Sequence, residues 1–369
     1  MIKYKRTYLT KGLNLMKSII AAFFSVTIVL TSVGCSGKAP EVSIPSSSQE
    51  STSSTESTLT TEESKTDVTE AAVGFTVSGT KLLDANGNEF IMRGINHPHS
   101  WFTAEDDTAL AAIAETGANT VRIVCGSGQQ YNKDTVETLN KITDKCKELE
   151  MIAILEVHDV TGKDDESLLE TAAEYWIEVK EALIGKENYV ILNIANEWVG
   201  KWDSETWRDG YTSVIPKLRD AGIKNTIMVD AAGWGQYGQS ITEYGEDVLS
   251  SDPDKNTMFS VHMYGTAGKN KATIARNLKL STDKGLCMIV GEFGWNHTDG
   301  DVDEEYILEY CSENNIGWLA WSWKGNGGGV EYLDLANTWD GTSLSDWGET
   351  IINSELGLKK TSVKCSIFS

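Results

Sequence analysis

YVILNIANEW, residues 189–198, is an apolar run that breaks off into Asn196, Glu197 and Trp198. Tyr189 to Leu192 are hydrophobic without alternation, the pattern of a strand covered on both faces in a parallel sheet. The same grammar recurs outward along the chain, in Met151–Val157, Thr120–Cys125 and Phe90–Ile95 on one side. On the other side come Thr226–Val229, Met258–Met263, Cys287–Val290 and Trp318–Trp321, making eight runs. The stretches between them read as helices. From Asp134 onward, Val136, Leu139, Ile142, Cys146 and Leu149 keep the spacing of one helical face. Leu168, Ala172, Trp176, Val179 and Leu183 do the same and stop at Gly185, a C-terminal cap. Eight strand–helix units with no GxGxxG or GxxxxGK[ST] before a helix predict an α/β fold, a (β/α)₈ barrel rather than a doubly wound sheet. Ahead of the first unit, Phe75–Leu83, the turn Ala85-Asn86-Gly87-Asn88 and Glu89–Ile91 predict an N-terminal β-hairpin at the barrel bottom.

The chain has 369 residues, 54 acidic and 32 basic, for a net charge of −22. That balance excludes nucleic acid as a partner, since phosphate binding needs lysines and arginines to release counterions. Residues 1–34 read as a lipoprotein-type signal peptide. Lys3, Lys5, Arg6, Lys11 and Lys17 precede an apolar run, Ile19 to Leu30, that is short for a membrane span. The run leads to Ser32-Val33-Gly34-Cys35, with Cys35 as the lipidated residue and Met16 as a second possible start. Residues 35–73 read as a disordered linker, because more than half of Val42–Glu70 is serine or threonine and little there can be buried. Residues 74–369 form the folded domain. The expected protein is an exported, membrane-anchored or secreted monomer that touches the membrane through its lipid alone. Cys125, Cys146, Cys287, Cys311 and Cys365 show neither CxxC nor metal-type spacing, so no disulfide framework or metal site is predicted.

A barrel gathers its chemistry at the C-terminal ends of its strands. Glu197 and Glu292 both follow apolar runs there, on the fourth and seventh units, opposite one another. Two carboxyl groups flanking one bond serve glycoside hydrolysis, one giving a proton to the leaving oxygen and the other attacking the anomeric carbon. Arg122 and His262 are placed to keep the attacking group charged, and Asn196 to hold a sugar hydroxyl. Trp323 is expected as the floor on which a sugar ring stacks. His99, Trp101, Trp198, Trp202, Trp234 and Trp295 are expected around it, lining an open groove that admits a chain rather than an end.

The constellation Arg122, His158, Asn196-Glu197, His262-Met263-Tyr264, Glu292 and Trp323 resembles glycoside hydrolase family 5 of clan A over residues 74–358. GFTVSGTKLLDANGNEFIMRGINH, DAAGWGQ, MFSVHMY, VGEFG and GWLAWSWKGNG are similar to its bacterial endo-β-1,4-mannanases. The resemblance implies retaining hydrolysis of mannan, glucomannan and galactomannan without a cofactor. It implies Glu197 as acid/base, Glu292 as nucleophile, Tyr264 beside the nucleophile, and Trp323 at the sugar that is cleaved. Gly265-Thr266 and Trp295-Asn296 depart from that group, which tends to carry bulkier or basic pairs there.

Other readings are weaker. His97-Pro98-His99 resembles the HxH of metal-dependent amidohydrolase barrels, but the fourth, fifth and eighth units lack the Lys, His and Asp which that chemistry uses. Asp299, Asp301 and Asp303 alternate as in a calcium loop, yet Glu304 stands where such a loop needs glycine, and an N-terminal helix cap is the simpler role. An anchored solute-binding receptor or a silent sugar-binding barrel would not need the opposed glutamates. An endo-β-1,4-glucanase would use the same catalytic set, since mannan and cellulose differ in the placement of one hydroxyl.

Overall fold

The computed structural model describes residues 74–369. The leader, Cys35 and the 35–73 linker lie outside the described residues. Two short strands come first, β1 (Thr76–Ser78) and β2 (Lys81–Leu83). Eight parallel strands then close a barrel: β3 (Arg93–His97), β4 (Thr120–Cys125), β5 (Ile152–Val157), β6 (Val190–Asn193), β7 (Ile227–Asp230), β8 (Thr257–Met263), β9 (Met288–Phe293) and, after a small hairpin β10–β11 (Asn296–His297, Gly300–Asp301), β12 (Gly317–Ala320). Closure is made by β12 beside β3, with Trp318 opposite Arg93. The predicted runs fall on these strands to within a few residues, and every barrel-strand residue is buried. The (β/α)₈ expectation holds.

The covering helices are α1 (Asp106–Glu115), α2 (Val136–Glu148), α3 (Glu166–Glu178), α4 (Ser204–Asp220), α5 (Gly238–Ser251), α6 (Lys271–Thr282), α7 (Glu304–Glu313) and α8 (Asp346–Asn353), with α9 (Leu358–Thr361) behind. Short polar side chains start most of them. Thr135 and Thr138 form a capping box on α2, and Asp165, Asp203, Asn270, Asp303 and Ser345 accept from the first-turn amides of α3, α4, α6, α7 and α8. Asp303 is therefore a helix cap. Among the described residues, all five cysteines are free and buried.

The N-terminal hairpin is real but differently drawn. Ser78 pairs with Lys81, so the tight turn is Gly79-Thr80, where Gly79 has φ +59°. The predicted Asn86-Gly87 turn is a second one that brings Glu89 back against Leu83. Both signals compete for the same short segment, and the nearer glycine closes the regular ladder. The hairpin covers the barrel bottom. Phe75 donates to the Glu187 carbonyl, and its own carbonyl accepts from Thr226 and Asn256, all just ahead of barrel strands.

Candidate active site

Arg122, Glu156, Asn193, Asp230, His262 and Glu292 interrupt the apolar strands, and their side chains gather at one buried centre. Arg122 on β4 sits fully buried at the centre. Its guanidinium donates to Asn193 (2.8 and 3.0 Å), Asn196 (2.7 Å), Asn96 (3.1 Å) and Glu292 Oε1 (2.8 Å), and reaches Asp230 at 3.3 Å. Burial opposes its charge, but Glu156, Asp230 and Glu292 outweigh that and its pKa is raised. A buried cation so paired fixes every carboxylate it touches.

Glu292 reaches this centre through a bulge. Val261 pairs with Val290 but His262 pairs with Glu292, leaving Gly291 as the extra residue. A Cβ at Gly291 would lie 2.2 Å from Ser260 Oγ, so only glycine fits. The bulge re-aims the following side chain, and Glu292 Oε2 then accepts from Tyr264 Oη at 2.8 Å. Glu197 arrives from the loop after β6 with φ +45°, a left-handed conformation costing of order 1–3 kcal/mol in a non-glycine residue. Its N–H donates to Asp230 Oδ2 (3.1 Å) and its carbonyl accepts from Gly162 (2.8 Å), which hold the strained backbone.

His262 Nδ1 donates to Glu197 Oε1 at 2.6 Å and lies 3.6 Å from Glu292 Oε2. Burial works against the charge on the imidazole. Glu292, Asp230 and Glu197 overcome this and push His262 up to about 10. Asp230 is held at about 2, against burial, by His262 and Arg122. Glu197 goes the other way. Burial pushes its carboxyl up, and the hydrogen bond from His262 only partly pulls it back. Oxygens of Glu197 and Glu292 and a ring nitrogen of His262 all lie within 4.8 Å of one another.

These groups open into a groove of about 760 Å³ at the C-terminal ends of the strands. His158, Asn196, Glu197, Tyr264 and Glu292 line it, as do Trp101, Trp202 and Trp234, which are 38%, 52% and 49% exposed. His158 Nδ1 donates to buried Glu156 (2.9 Å), and its ring stacks on Trp321 at 5.9 Å and 22°. Asn196 spends its oxygen on Arg122 and one amide hydrogen on Thr161, leaving one donor for the groove.

Four expected lining residues lie elsewhere. Trp323 is fully buried, with Nε1 donating to the Trp339 carbonyl, and Trp321 takes the place in the groove that was assigned to it. β12 ends at Ala320, so strand alternation no longer sets side-chain direction, and the long following loop folds over Trp323. Trp198 is also buried, against Tyr211 with its six-ring over Gly210, because the turned backbone at Glu197 points the next side chain inward. His99 faces away from the groove and bridges Asp106 (2.8 Å) and Asp134 (3.0 Å), while His97 also binds Asp106. The HxH pair is therefore part of the packing behind the first loop. Trp295 packs on Tyr332 and donates to its carbonyl.

Trp321, Glu156, Asn193, Asp230 and Asp299 carry roles that were not assigned from sequence. A polar residue within an otherwise apolar strand was the available signal for Glu156, Asn193 and Asp230. Asp299 gives no such signal. It accepts from the amides of Gly265 and Thr266, across a contact so close that a Cβ at Gly265 would meet Gly300 at 2.3 Å. That contact explains the small Gly265-Thr266 pair.

The model of the family described as cellulase, glycosyl hydrolase family 5, matches residues 83–327. The chain is 54% identical over 296 residues to the mannan endo-1,4-beta-mannosidase of Salipaludibacillus agaradhaerens, covering 80% of this chain and 96% of that protein. It is 41% identical to the mannan endo-1,4-beta-mannosidase of Streptomyces lividans, covering 81% of this chain and 78% of the relative. Among solved structures, a mannohexaose complex of Thermomonospora fusca beta-mannanase superposes with a TM-score of 0.76 at 40% identity, covering 80% of this chain and 99% of the other.

Proposed function

The chain belongs to glycosyl hydrolase family 5, and from that premise we propose that it is a retaining endo-β-1,4-mannanase. It cuts internal bonds of mannan, glucomannan and galactomannan. The observation that carries the reading is the carboxyl pair, with oxygens of Glu197 and Glu292 within 4.8 Å. Retaining enzymes hold their carboxyl groups about 5–5.5 Å apart, whereas inverting ones need about 6.5–9.5 Å to admit water between them.

In the first step the Glu292 carboxylate attacks the anomeric carbon as Glu197 gives its proton to the departing oxygen. The glycosidic bond breaks and a glycosyl ester forms on Glu292. In the second step Glu197 takes a proton from water, the hydroxyl adds to the same carbon, and Glu292 leaves as carboxylate. Burial suits Glu197 to the proton-donating role. Arg122 and Tyr264 hold one oxygen each of Glu292. Trp321 and Trp101 offer ring faces for stacking, and the open groove suits internal cleavage.

Reducing-sugar release by the purified protein, with linear mannan, glucomannan and carboxymethyl cellulose compared in EDTA, tests this. Release from the two mannans is expected, and release from the cellulose derivative alone would overturn the mannan assignment. The basic leader and Cys35 support a lipid-anchored surface form. Labelled palmitate should enter the protein in bacteria and be lost in Cys35→Ser.

A further inference from the structure

Beside the catalytic groove lies a second cavity of about 400 Å³. The two share Trp202, Gln236 and Thr266, carried by the loops after β6, β7 and β8. Gln236 is fixed in this wall. Its oxygen accepts from the amides of Thr266 and Ala267, and its amide donates to Asp299. Trp202 leans on Tyr237 at 4.8 Å and leaves 52% of its surface open.

The lining of this cavity differs in charge from the groove. The groove carries Glu197, Glu292 and Asp299. The second cavity has no carboxylate among its lining residues but two cations, Lys269 and Arg276. In a chain of net charge −22 this is a local reversal. Lys269 stands just ahead of α6 and Arg276 lies on it, while the other cations of that helix are neutralised: Lys271 pairs with Glu309 and Lys279 with Asp283. Among the described residues, Lys269 and Arg276 pair with no acid. Apart from Gly238, Ala267 and Leu280, the rest of the lining is amide, hydroxyl and aromatic, including Gln239 and Trp202, the surface on which sugars bind.

We propose that this cavity is a branch subsite for a carboxylate-bearing sugar unit hanging from the polysaccharide in the groove. The inference rests on the mannanase reading and adds a specificity to it. The main chain runs past the shared wall, a side unit turns over Trp202, and its carboxylate meets Lys269 and Arg276. Lysine supplies a point charge and arginine a planar fork that matches a carboxylate. The neighbouring acidic surface repels such a branch, so the two cations set where it can sit.

The test uses galactomannan whose side galactoses have been oxidised at C6 to carboxylates, beside untreated galactomannan and linear mannan. At low ionic strength the full chain should show a kcat/KM on the carboxylated polymer about two- to tenfold above that on the neutral branched polymer, the scale of two exposed ion pairs. High salt should erase the difference. The double variant Lys269→Gln, Arg276→Gln should lose the excess while keeping its rate on linear mannan. Equal rates on both branched polymers, or an unchanged ratio in the double variant, would overturn the subsite. Affinity electrophoresis through gels holding either polymer, in a Glu292→Ala background, reads the cavity without turnover. Selective retardation by the carboxylated polymer that vanishes with the two cations supports the subsite even if linear mannan is not cut, which would instead count against the mannanase reading.

Discussion

Glu197 and Glu292 are the same residue type, yet their surroundings differ. Glu197 accepts from a single imidazole in a buried pocket, while Glu292 is gripped by Arg122 and Tyr264. Glu292→Ala should abolish turnover with melting temperature nearly unchanged. Retention of near-full activity, read by reducing-sugar release, would displace it as nucleophile. The pH profile tests Glu197 through its neighbour. The cation of His262 lowers the Glu197 pKa against the upward push of burial. Removing it in His262→Asn takes away a lowering influence, so the alkaline limb of kcat/KM should move to higher pH. A limb that moved down, or stayed while kcat fell, would assign that limb to another group. At this scale the sequence was informative where chemistry leaves a mark in a strand. Glu197, Glu292, Arg122 and His262 are polar breaks in apolar runs, and all four meet. Tryptophans leave no such mark. Trp101, Trp202 and Trp234 face the groove, while Trp198 and Trp323 are buried, because burial there depends on the backbone turn at Glu197 and on the loop laid over Trp323.

The loops that carry the groove walls are held from behind by the barrel's helices. The turn after β3 brings Trp101 into the groove, and its anchor is the buried set His97, Asp106, His99 and Asp134, which ties β3 to α1 and to the loop after β4. Burial disfavours the charge on His99, but Asp106 and Asp134 raise it to about 9. A raised histidine stabilises the fold fully below its unfolded value of 6.5 and loses that contribution as pH rises through 9. The melting temperature of the native chain should therefore fall between those values relative to His99→Gln, whose own curve should be flatter there. Parallel curves would mean that His99 is neutral in the fold. The opposite wall depends on a glycine. Gly162 has φ +69°, and a Cβ there would come within 2.1 Å of the Trp234 ring. Gly162→Ala should push Trp234 aside and raise KM for long mannan more than for short oligosaccharides, at a stability cost of about 1 kcal/mol from the left-handed backbone. An equal change in KM at all lengths would mean Trp234 holds no distant sugar. Strand positions were legible because period and length agree in all eight runs. The loop anchors were not, because Asp106 and Asp134 meet His99 only through the closed barrel.

At the scale of the whole molecule the two ends of the barrel have separate tasks. The top is open, strained and charged. The bottom is sealed by the hairpin and by the last residues of the chain, which come together across the whole sequence. Asn119 on the β4 side donates to the Val363 carbonyl at 2.8 Å. Ser366 Oγ donates to Asp84 at 2.5 Å and accepts from Asn86 and Asn88, while Ile367 and Phe368 pack on the core. Removing residues 363–369 would remove these bonds, worth about 1 kcal/mol each, and uncover part of the bottom layer. At about 2–4 °C per kcal/mol the loss of these four bonds should lower the melting temperature by roughly 8–16 °C. kcat at 25 °C should not change, since nothing in the tail reaches the groove. The loss should also carry a pH signature. Burial raises the Asp84 carboxyl, but Ser366 and the amides of Asn86 and Asn88 outweigh it and leave it below its ordinary 3.8. A lowered carboxylate stabilises the fold above that value and stops doing so as pH falls through its folded pKa. The gap between native and truncated chains should stay constant at neutral pH and narrow below 3.8. A gap that persisted in acid would place the tail's contribution in the packing of Ile367 and Phe368, and a fall in kcat alongside the melting temperature would mean that the bottom of the barrel and the groove are coupled.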